Sequence, residues 1–215
     1  MSRDLANEIA TRHLERGDAL GWFDVLYKTA ARDFSVVPWA DREFNVHLRD
    51  WCEREGRPLS GARTVVCGCG LGDDAEAMAA RGAIVTAFDI SPEAIDWARE
   101  RFPSSTVNYS VGDLLTYQGA FDFVVESYTL QAMPLELRER AISAVAGLVA
   151  PGGEVIVVCR GRSADDPPGQ VPWPLTPSDF SIFASHGVQT VRFEDFDDPY
   201  EPGKRRFRYH GRRPE

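Results

Sequence analysis

The sequence contains no long uninterrupted apolar run. None of its apolar stretches approaches the roughly 20 residues that a membrane-spanning helix requires. The polar start at Ser2, Arg3 and Asp4 also lacks the hydrophobic region of a signal peptide. We therefore expect a cytoplasmic protein that has no membrane partner.

Positive charge is also in deficit. The chain has 24 Lys and Arg residues against 33 Asp and Glu residues, a formal net charge of −9. Nucleic acid is therefore not expected as a partner, because binding phosphates requires a positive face. The basic cluster near the end comprises Lys204, Arg205, Arg206, Arg208, Arg212 and Arg213. Its alternation with Phe207 and Tyr209 predicts the solvated face of a strand, and an anionic substrate or RNA is the alternative left open.

Metal-binding side chains are few. The four cysteines, Cys52, Cys67, Cys69 and Cys159, show neither metal-site nor disulfide spacing. The four histidines are scattered and form no ligand pair at helical spacing. We therefore predict no metal site.

One segment, residues 63–89, organises the rest of this 215-residue chain, which fits a single domain. A short apolar run ending at Cys67 leads into a glycine-rich turn from Gly68 to Gly72, and an alanine-rich helical pattern then begins at Asp73. A second apolar run starts at Ile84 and ends on Asp89. This order predicts a parallel βαβ unit that holds a nucleoside-like ligand at the carboxyl ends of its strands.

The spacing within the glycine turn distinguishes between cofactor classes. A dinucleotide fingerprint has glycine at its sixth position, where this chain has Asp73. A carboxylate there would repel a pyrophosphate, whereas Asp73 or Asp74 would attract the ammonium of an amino-acid tail. Asp89, 21 residues after Gly68 (89 − 68), is suited to accept two ribose hydroxyls. Together these features point to S-adenosylmethionine.

The sequence resembles the class I S-adenosylmethionine-dependent methyltransferases over roughly residues 20 to 212. Residues 66–74, 37–41 and 125–129, with Met133 and Pro134, are similar to the thiopurine, halide/thiol and hydroxyquinolone methyltransferase group. The sequence departs from the family at Val66, where many class I enzymes carry an acid two residues before the first glycine.

The resemblance implies an α/β fold. Its doubly wound, mostly parallel, seven-stranded Rossmann-like sheet would end in an antiparallel hairpin. Residues 1–60 would form a helical cap over the active site of a methyltransferase domain at 61–215. The implied function is methyl transfer to an O, S or N nucleophile of a small aromatic or heteroaromatic molecule, by a monomer or homodimer. A non-catalytic cofactor-binding regulator, favoured by Val66, and a nicotinamide-dependent enzyme, which conflicts with Asp73, are the alternatives.

The N-terminal part of the chain is rich in aromatic residues. Its pattern predicts helices at about 3–16 and 22–33, and a third that Asp41 caps and that runs through Glu55. The substrate-binding candidates here are Trp22 and Tyr27, which alternatively form buried helix faces. Trp39, on a connecting segment, is a candidate for contact with the sulfonium cation, and His47 is a weak candidate for a general base.

The remaining cofactor candidates lie at predicted strand ends. The complete set is Trp39, Gly68, Cys69, Gly70, Asp73, Asp74, Asp89, Ile90, Asp113, Leu114 and Glu126. The resemblance assigns Asp113, after a third strand at 106–111, to the adenine amino group, with an ordinary turn aspartate as the alternative.

Two further residues are assigned to the substrate side. Tyr128 is the first candidate for substrate contact and catalysis, because it follows the central strand. Trp173, in a proline-rich segment at 161–174, is expected to close on the pocket or to pack on the surface. Glu126, placed among the cofactor residues, is alternatively a structural acid that binds loop amides.

Overall fold

The structure is a computed structural model, and it describes residues 2–56, 59–169 and 171–215. The helices of these ranges are α1 (Ser2–Leu14), α2 (Trp22–Ala30), α3 (Val46–Glu55), α4 (Asp73–Ala79), α5 (Pro92–Arg101), α6 (Leu135–Gly147) and α7 (Ser181–Ser185). Short 3₁₀ turns occur at Phe34–Val36, Leu130–Ala132 and Pro177–Phe180. No helix within these ranges has the length and apolar character needed to cross a membrane.

The strands of these ranges form one mixed sheet. They are β1 (Arg63–Cys67), β2 (Ile84–Asp89), β3 (Asn108–Val111), β4 (Phe121–Ser127), β5 (Val149–Arg160), β6 (Gln189–Asp197) and β7 (Arg205–Arg212). Across the sheet the order is β3-β2-β1-β4-β5-β7-β6. The first five strands in this order pair in parallel, and β7 pairs antiparallel with both β5 and β6. This arrangement confirms the predicted fold class, including the C-terminal hairpin.

Helices cover both faces of the sheet. On one face, Val65, Val124 and Val157 pack with α6 and α7; on the other, Val66 and Val125 pack with α3, α4 and α5. The central strands are therefore apolar at consecutive positions, as is typical of parallel strands buried on both sides. The carboxyl ends of β1, β2, β4 and β5 lie at one edge of this sheet.

Helix α3 begins later than the sequence pattern predicts. Its N-cap is Asn45, whose side-chain oxygen accepts hydrogen bonds from the backbone N–H groups of His47 and Leu48. The prediction that Asp41 caps this helix is therefore wrong. Asn45 satisfies two N–H groups that a helix start would otherwise leave without partners, and Asp41 remains in the preceding loop.

The basic C-terminal strand is buried rather than solvated. The predicted alternation on β7 is correct, since Phe207 and Tyr209 enter the core. However, Arg206 and Arg208 are only 4% and 7% exposed, so the prediction of a solvated face is wrong. Helix α3 covers this face, and Arg208 donates to the backbone carbonyl of His47 over 2.9 Å. A local alternation pattern does not reveal which distant helix will pack on a strand.

Candidate functional site

A cavity of about 500 Å³ lies at the carboxyl edge of the parallel strands. This volume falls within the range of small-molecule sites. The residues that line it come from α1, α2, the loop before α3, the glycine turn, the ends of β2, β4 and β5, and the hairpin of β6 and β7. The N-terminal helices and the sheet therefore enclose one space together.

The glycine turn and Asp89 are joined by hydrogen bonds. Asp89 Oδ2 accepts from the backbone N–H of Gly70 at 2.9 Å, and Oδ1 accepts from that of Ser91 at 2.9 Å. A carboxylate offers about four lone-pair sites, so acceptor capacity remains for a hydroxyl group in the cavity after the contacts with Gly70, Ser91 and Ile90. Burial raises the pKa of Asp89, while the N–H groups of Ser91 and Gly70 oppose the rise.

The turn leaves no room for side chains at its first glycine. Gly68 has a φ of +60°, and a Cβ atom there would lie 2.2 Å from the hydroxyl oxygen of Thr129. Glycine is thus required both for the backbone conformation and for the close approach of β4. Cys69 and Ile90 also line the cavity, and burial raises the pKa of the Cys69 thiol well above its usual range. Cys69 is therefore not a reactive thiolate.

Asp113 and Leu114 line the cavity next to the end of β3. Asp113 Oδ1 accepts from the backbone N–H of Leu115 at 2.9 Å, which is the hydrogen bond of an ordinary turn aspartate. The Asp113 carboxylate keeps further lone pairs for a ligand amino group. Phe88, stacked on Tyr117 with ring centroids 3.8 Å apart, contributes an apolar wall nearby.

Three acids, Asp41, Asp73 and Asp74, form a negative region of the cavity lining. Asp73 and Asp74 differ in their partners. Asp73 forms two hydrogen bonds with the guanidinium of Arg101, at 2.6 and 2.7 Å. Asp74 accepts from the backbone N–H of Asn45 at 2.9 Å but has no ion pair within the described residues. Burial, together with the nearby Asp73 and Asp41, raises the pKa of Asp74 to about 6. The charge of Asp74, unlike that of Asp73, is left for a cationic ligand group to neutralise.

An aromatic cluster from the N-terminal segment forms another wall of the cavity. Trp39 donates its ring N–H to the hydroxyl oxygen of Tyr27 at 2.8 Å and meets Trp22 edge-on at 6.0 Å. All three side chains line the cavity, although Trp22 and Tyr27 are almost entirely buried. The alternative interpretation of Trp22 and Tyr27 as buried helix faces is therefore confirmed, and their contact with a substrate stays a prediction.

The structure does not bring Glu126 or Trp173 into the cavity lining. Glu126 Oε1 instead accepts from the backbone N–H groups of Thr129 and Leu130, at 2.6 and 2.9 Å. Trp173 uses its backbone N–H and C=O groups to bind Gln131 and Arg138. The described part of the 161–174 segment contributes Val171 and Pro172 to the cavity instead, while Gln170 lies outside the described residues.

Tyr128 lines the cavity directly after the end of β4. Its φ of +65° is unusual for a residue with a Cβ atom. The guanidinium of Arg206 lies over its ring, 5.1 Å from the centroid. Burial raises the pKa of the Tyr128 hydroxyl to about 12, so this group is a hydrogen-bond donor at neutral pH and not a phenolate base.

His47 belongs to a buried polar cluster beside Tyr128. Its Nε2 atom is 3.2 Å from Asp198 Oδ2, and the same oxygen accepts from Arg206 Nε at 2.6 Å. Burial lowers the pKa of His47, although Asp198 opposes this. Asp198 has its pKa lowered to about 2 despite its burial, because the Tyr200 N–H and Arg206 stabilise the carboxylate. The cluster therefore holds a neutral imidazole next to a carboxylate at neutral pH.

Several cavity residues were not among the site candidates chosen from the sequence. They are Asp41, Asn45, Met133, Arg160, Asp198, Glu201 and Arg206. The C-terminal members come from the hairpin, where the alternation of arginines with aromatic residues was the available signal. Their position beside the cavity follows from β7 inserting between β5 and β6, which no local pattern specifies.

Comparisons with known proteins agree with this architecture. Residues 65–153 match a family model described as a methyltransferase domain. A magnesium-protoporphyrin O-methyltransferase of Rhodobacter capsulatus is 39% identical over 105 residues, which are 43% of this chain and 47% of the relative. A ubiquinone biosynthesis O-methyltransferase of Xanthomonas campestris pv. campestris is 40% identical over 111 residues, which are 49% of this chain and 46% of the relative. The chain thus spans about half the length of these curated relatives.

A solved structure extends the similarity over most of the fold. The N-methyltransferase NodS of Bradyrhizobium japonicum, solved in complex with S-adenosylhomocysteine, superposes with a TM-score of 0.67 at 19% sequence identity. The alignment covers 88% of this chain and 99% of that protein. The protein therefore has the Rossmann-like fold of such methyltransferases, and its residues 65–153 carry the methyltransferase-domain match. The narrower resemblance to the thiopurine, halide/thiol and hydroxyquinolone group stays a prediction.

Proposed function

We propose that this chain, with its methyltransferase-domain match and fold, is an S-adenosylmethionine-dependent methyltransferase. It moves a methyl group to an O, S or N nucleophile of a small aromatic or heteroaromatic molecule. The observation that carries the proposal is that two acids line the same cavity. Asp89 keeps acceptor capacity at the glycine turn, and Asp74 has no cationic partner among the described residues. Ribose hydroxyls and an ammonium group are the complements of these two acids.

The residues along the cavity fit S-adenosylmethionine in order. Gly68, Cys69 and Gly70 allow close approach of the ligand's tail, with its ammonium near Asp74. Asp89 and Ile90 face the ribose, and Asp113 and Leu114 face the adenine. Trp39 presents an aromatic ring to the sulfonium, whose cation it attracts.

The acceptor binds beside Tyr128, in a cavity that the N-terminal aromatic residues also line. Trp22 and Tyr27 provide apolar surface that favours an aromatic ring. Residues 1–60 act as a cap in this proposal, because their described part closes one side of the cavity while Trp51 of α3 stacks on Phe123 of the sheet. The cap is therefore packed against the domain it covers.

The chemistry requires alignment more than acid–base assistance. The sulfonium methyl group, when the cofactor is bound, is the electrophile of an in-line displacement. Holding a nucleophile in line and excluding water contributes on the order of 7 to 11 kcal/mol. An acceptor that is already ionised needs little more, whereas a neutral hydroxyl or amine needs a base, and neutral His47 beside Asp198 suits that role. Tyr128 donates a hydrogen bond to the acceptor.

A non-catalytic cofactor-binding regulator is the second candidate. It is favoured by Val66, which stands where many class I enzymes carry an acid, and which is buried in the core away from the cavity lining. Val66 offers no charge to an ammonium group, so Asp74 would supply the carboxylate contact in its place.

Calorimetric titration with S-adenosylmethionine and S-adenosylhomocysteine tests the proposal first. We expect saturable binding of both, and no binding at millimolar concentration would exclude it. Incubation with methyl-labelled cofactor and a panel of thiols, phenols and quinolones, read by mass spectrometry, tests turnover. Binding without transfer to any acceptor would support the regulatory candidate instead.

A further inference from the structure

Arg160, the last residue of β5, has no side-chain partner among the described residues, although it lines the cavity and is partly buried. Its backbone is held firmly. The N–H donates to the side-chain oxygen of Gln131 at 2.6 Å, and the C=O accepts from the N–H of Leu175 at 2.9 Å. The backbone of Arg160 is therefore fixed in the cavity wall, and this limits the region that its guanidinium can reach.

The neighbours of Arg160 are cations. Arg160 is directly opposite Arg206 in the antiparallel pairing of β5 with β7. Two like charges at opposed positions of a sheet destabilise each other. Burial, reinforced by Arg3 and Arg206, lowers the pKa of Arg160, yet an arginine still carries its charge at neutral pH.

The nearby carboxylates are already engaged by other arginines. Asp198 accepts from Arg206 Nε at 2.6 Å. Glu201 binds Arg206 through Oε2, and its Oε1 is 3.5 Å from Arg3. Neither carboxylate therefore forms an ion pair with Arg160 among the described residues, although Glu201 is close enough to oppose the lowering of its pKa. An uncompensated cation in a partly dehydrated site is costly, so a group that neutralises it gains affinity.

The position of this charge relates it to the acceptor and not to the cofactor. The strands β2, β1, β4, β5 and β7 follow one another across the sheet. Asp89 ends β2, Tyr128 directly follows β4, and Arg160 and Arg206 lie on β5 and β7. Because β7 runs antiparallel to β5, the start of β7 meets the end of β5 at the cavity edge. The unpaired guanidinium of Arg160 therefore lies beyond Tyr128 in the sheet order, on the side away from Asp89.

We propose that Arg160 determines acceptor specificity by binding an anionic group, a carboxylate of the aromatic acceptor. This inference rests on the proposed function and narrows its substrate class. Arginine offers a planar fork of N–H donors that matches a carboxylate with two parallel hydrogen bonds. Arg206 keeps its ion pairs with Asp198 and Glu201, and thereby holds the hairpin against β5. The acceptor's carboxylate neutralises the guanidinium of Arg160, which has no other side-chain partner among the described residues.

The test compares aromatic acids with their neutral carboxamides. Three pairs are titrated calorimetrically into the complex with S-adenosylhomocysteine: 3-hydroxybenzoate, 4-hydroxyquinoline-2-carboxylate and indole-3-acetate, each against its amide. We expect at least one acid to bind ten-fold or more tightly than its amide. The variant Arg160→Gln should abolish this preference, Arg160→Lys should keep part of it, and Arg140→Gln, at an exposed arginine of α6 outside the cavity lining, should leave it unchanged.

The outcomes separate this inference from the proposed function. The inference about Arg160 is overturned if no acid binds more tightly than its amide, or if neither member of any pair binds. It is also overturned if the preference for the acid survives in Arg160→Gln. Binding of S-adenosylhomocysteine is measured separately, and its failure alone removes the methyltransferase proposal. The acid and amide titrations are then repeated on the cofactor-free protein, where loss of the preference in Arg160→Gln still supports an anion site.

Discussion

His47 and Asp198 meet inside the protein although 151 positions separate them in the chain, with 3.2 Å between His47 Nε2 and Asp198 Oδ2. The histidine comes from the N-terminal α3 and the aspartate from the turn of the C-terminal hairpin. A carboxylate that binds one ring nitrogen orients the imidazole and stabilises its protonated form, as does the group that orients a general base in other enzymes. This geometry fits a general base that acts only when the acceptor must lose a proton.

The variant His47→Gln should therefore discriminate between acceptor classes. We expect kcat to fall by about 10²-fold or more for neutral phenols or amines, the range for loss of general base catalysis. Thiols that are already ionised should lose little activity. His186→Gln, at an exposed histidine after α7, is the matched control. An equal loss for both acceptor classes would show that His47 only positions Asp198 and Arg206.

The variant Tyr128→Phe removes a hydroxyl that is protonated at neutral pH, since burial raises its pKa to about 12. We expect kcat/KM for the acceptor to fall about 10-fold, in line with the loss of a hydrogen bond worth about 1.5 kcal/mol. Affinity for S-adenosylhomocysteine should change less than two-fold. Tyr117→Phe serves as control, because Tyr117 does not itself line the cavity, although it stacks on Phe88, which does. A comparable loss of cofactor affinity in Tyr128→Phe would reassign this residue.

The cofactor end of the cavity was predictable from the sequence because its residues are close together in the chain. Gly68, Gly70 and Asp89 belong to one βαβ unit, and strand–turn–helix chemistry places them together whatever surrounds them. The sheet with its C-terminal hairpin, which the family resemblance implied, is also confirmed.

The acceptor end was not predictable in the same way. Its residues come from α1, the loop before α3, the end of β5 and the hairpin, and only tertiary packing brings them together. Arg206 illustrates the limit. An arginine in an alternating strand is ordinarily solvated, and only the covering α3 and the partner Asp198 make its burial favourable.

The variant Asp89→Asn should weaken cofactor binding. The amide oxygen still accepts one backbone N–H, but the negative charge that strengthens hydrogen bonds to hydroxyls is lost. Bonds to charged groups are worth about 1.5 to 3 kcal/mol, so the Kd for S-adenosylhomocysteine should rise roughly 10- to 150-fold. Calorimetry measures this, with Asp96→Asn, at an exposed position of α5, as control. An unchanged Kd would place the ribose elsewhere.

Asp74 should make cofactor affinity depend on pH. Its pKa of about 6 in the cofactor-free protein means that it is largely protonated at pH 5 and charged at pH 8. An ammonium group prefers the charged form, so binding lowers this pKa and releases a proton. We therefore expect affinity for S-adenosylhomocysteine to rise from pH 5 to about 7 and then level off. Asp74→Asn should bind more weakly and lose this rise, whereas a rise that persists in Asp74→Asn would assign it to another group.

Glu126 should make the stability of the protein itself depend on pH. Its carboxylate is fully buried, and burial raises its pKa to about 7, although the N–H groups of Leu130 and Thr129 oppose the rise. Because the folded-state pKa lies above the unfolded value of about 4.3, the contribution of this group is fully present below pH 4 and is lost as the pH rises through 7. The shift corresponds to roughly 3 to 4 kcal/mol.

The variant Glu126→Gln keeps an oxygen for both loop N–H groups and cannot ionise. We expect urea denaturation to give a larger free energy of unfolding for Glu126→Gln than for the wild type at pH 8, and a smaller difference at pH 5. Glu139→Gln, at an exposed position of α6, should follow the wild type at both pH values. The same pH dependence in Glu126→Gln and in the wild type would mean that Glu126 keeps one protonation state throughout this range. A carboxylate kept ionised there would have to be balanced inside the fold, and the buried Arg138 is a cation that lowers its pKa.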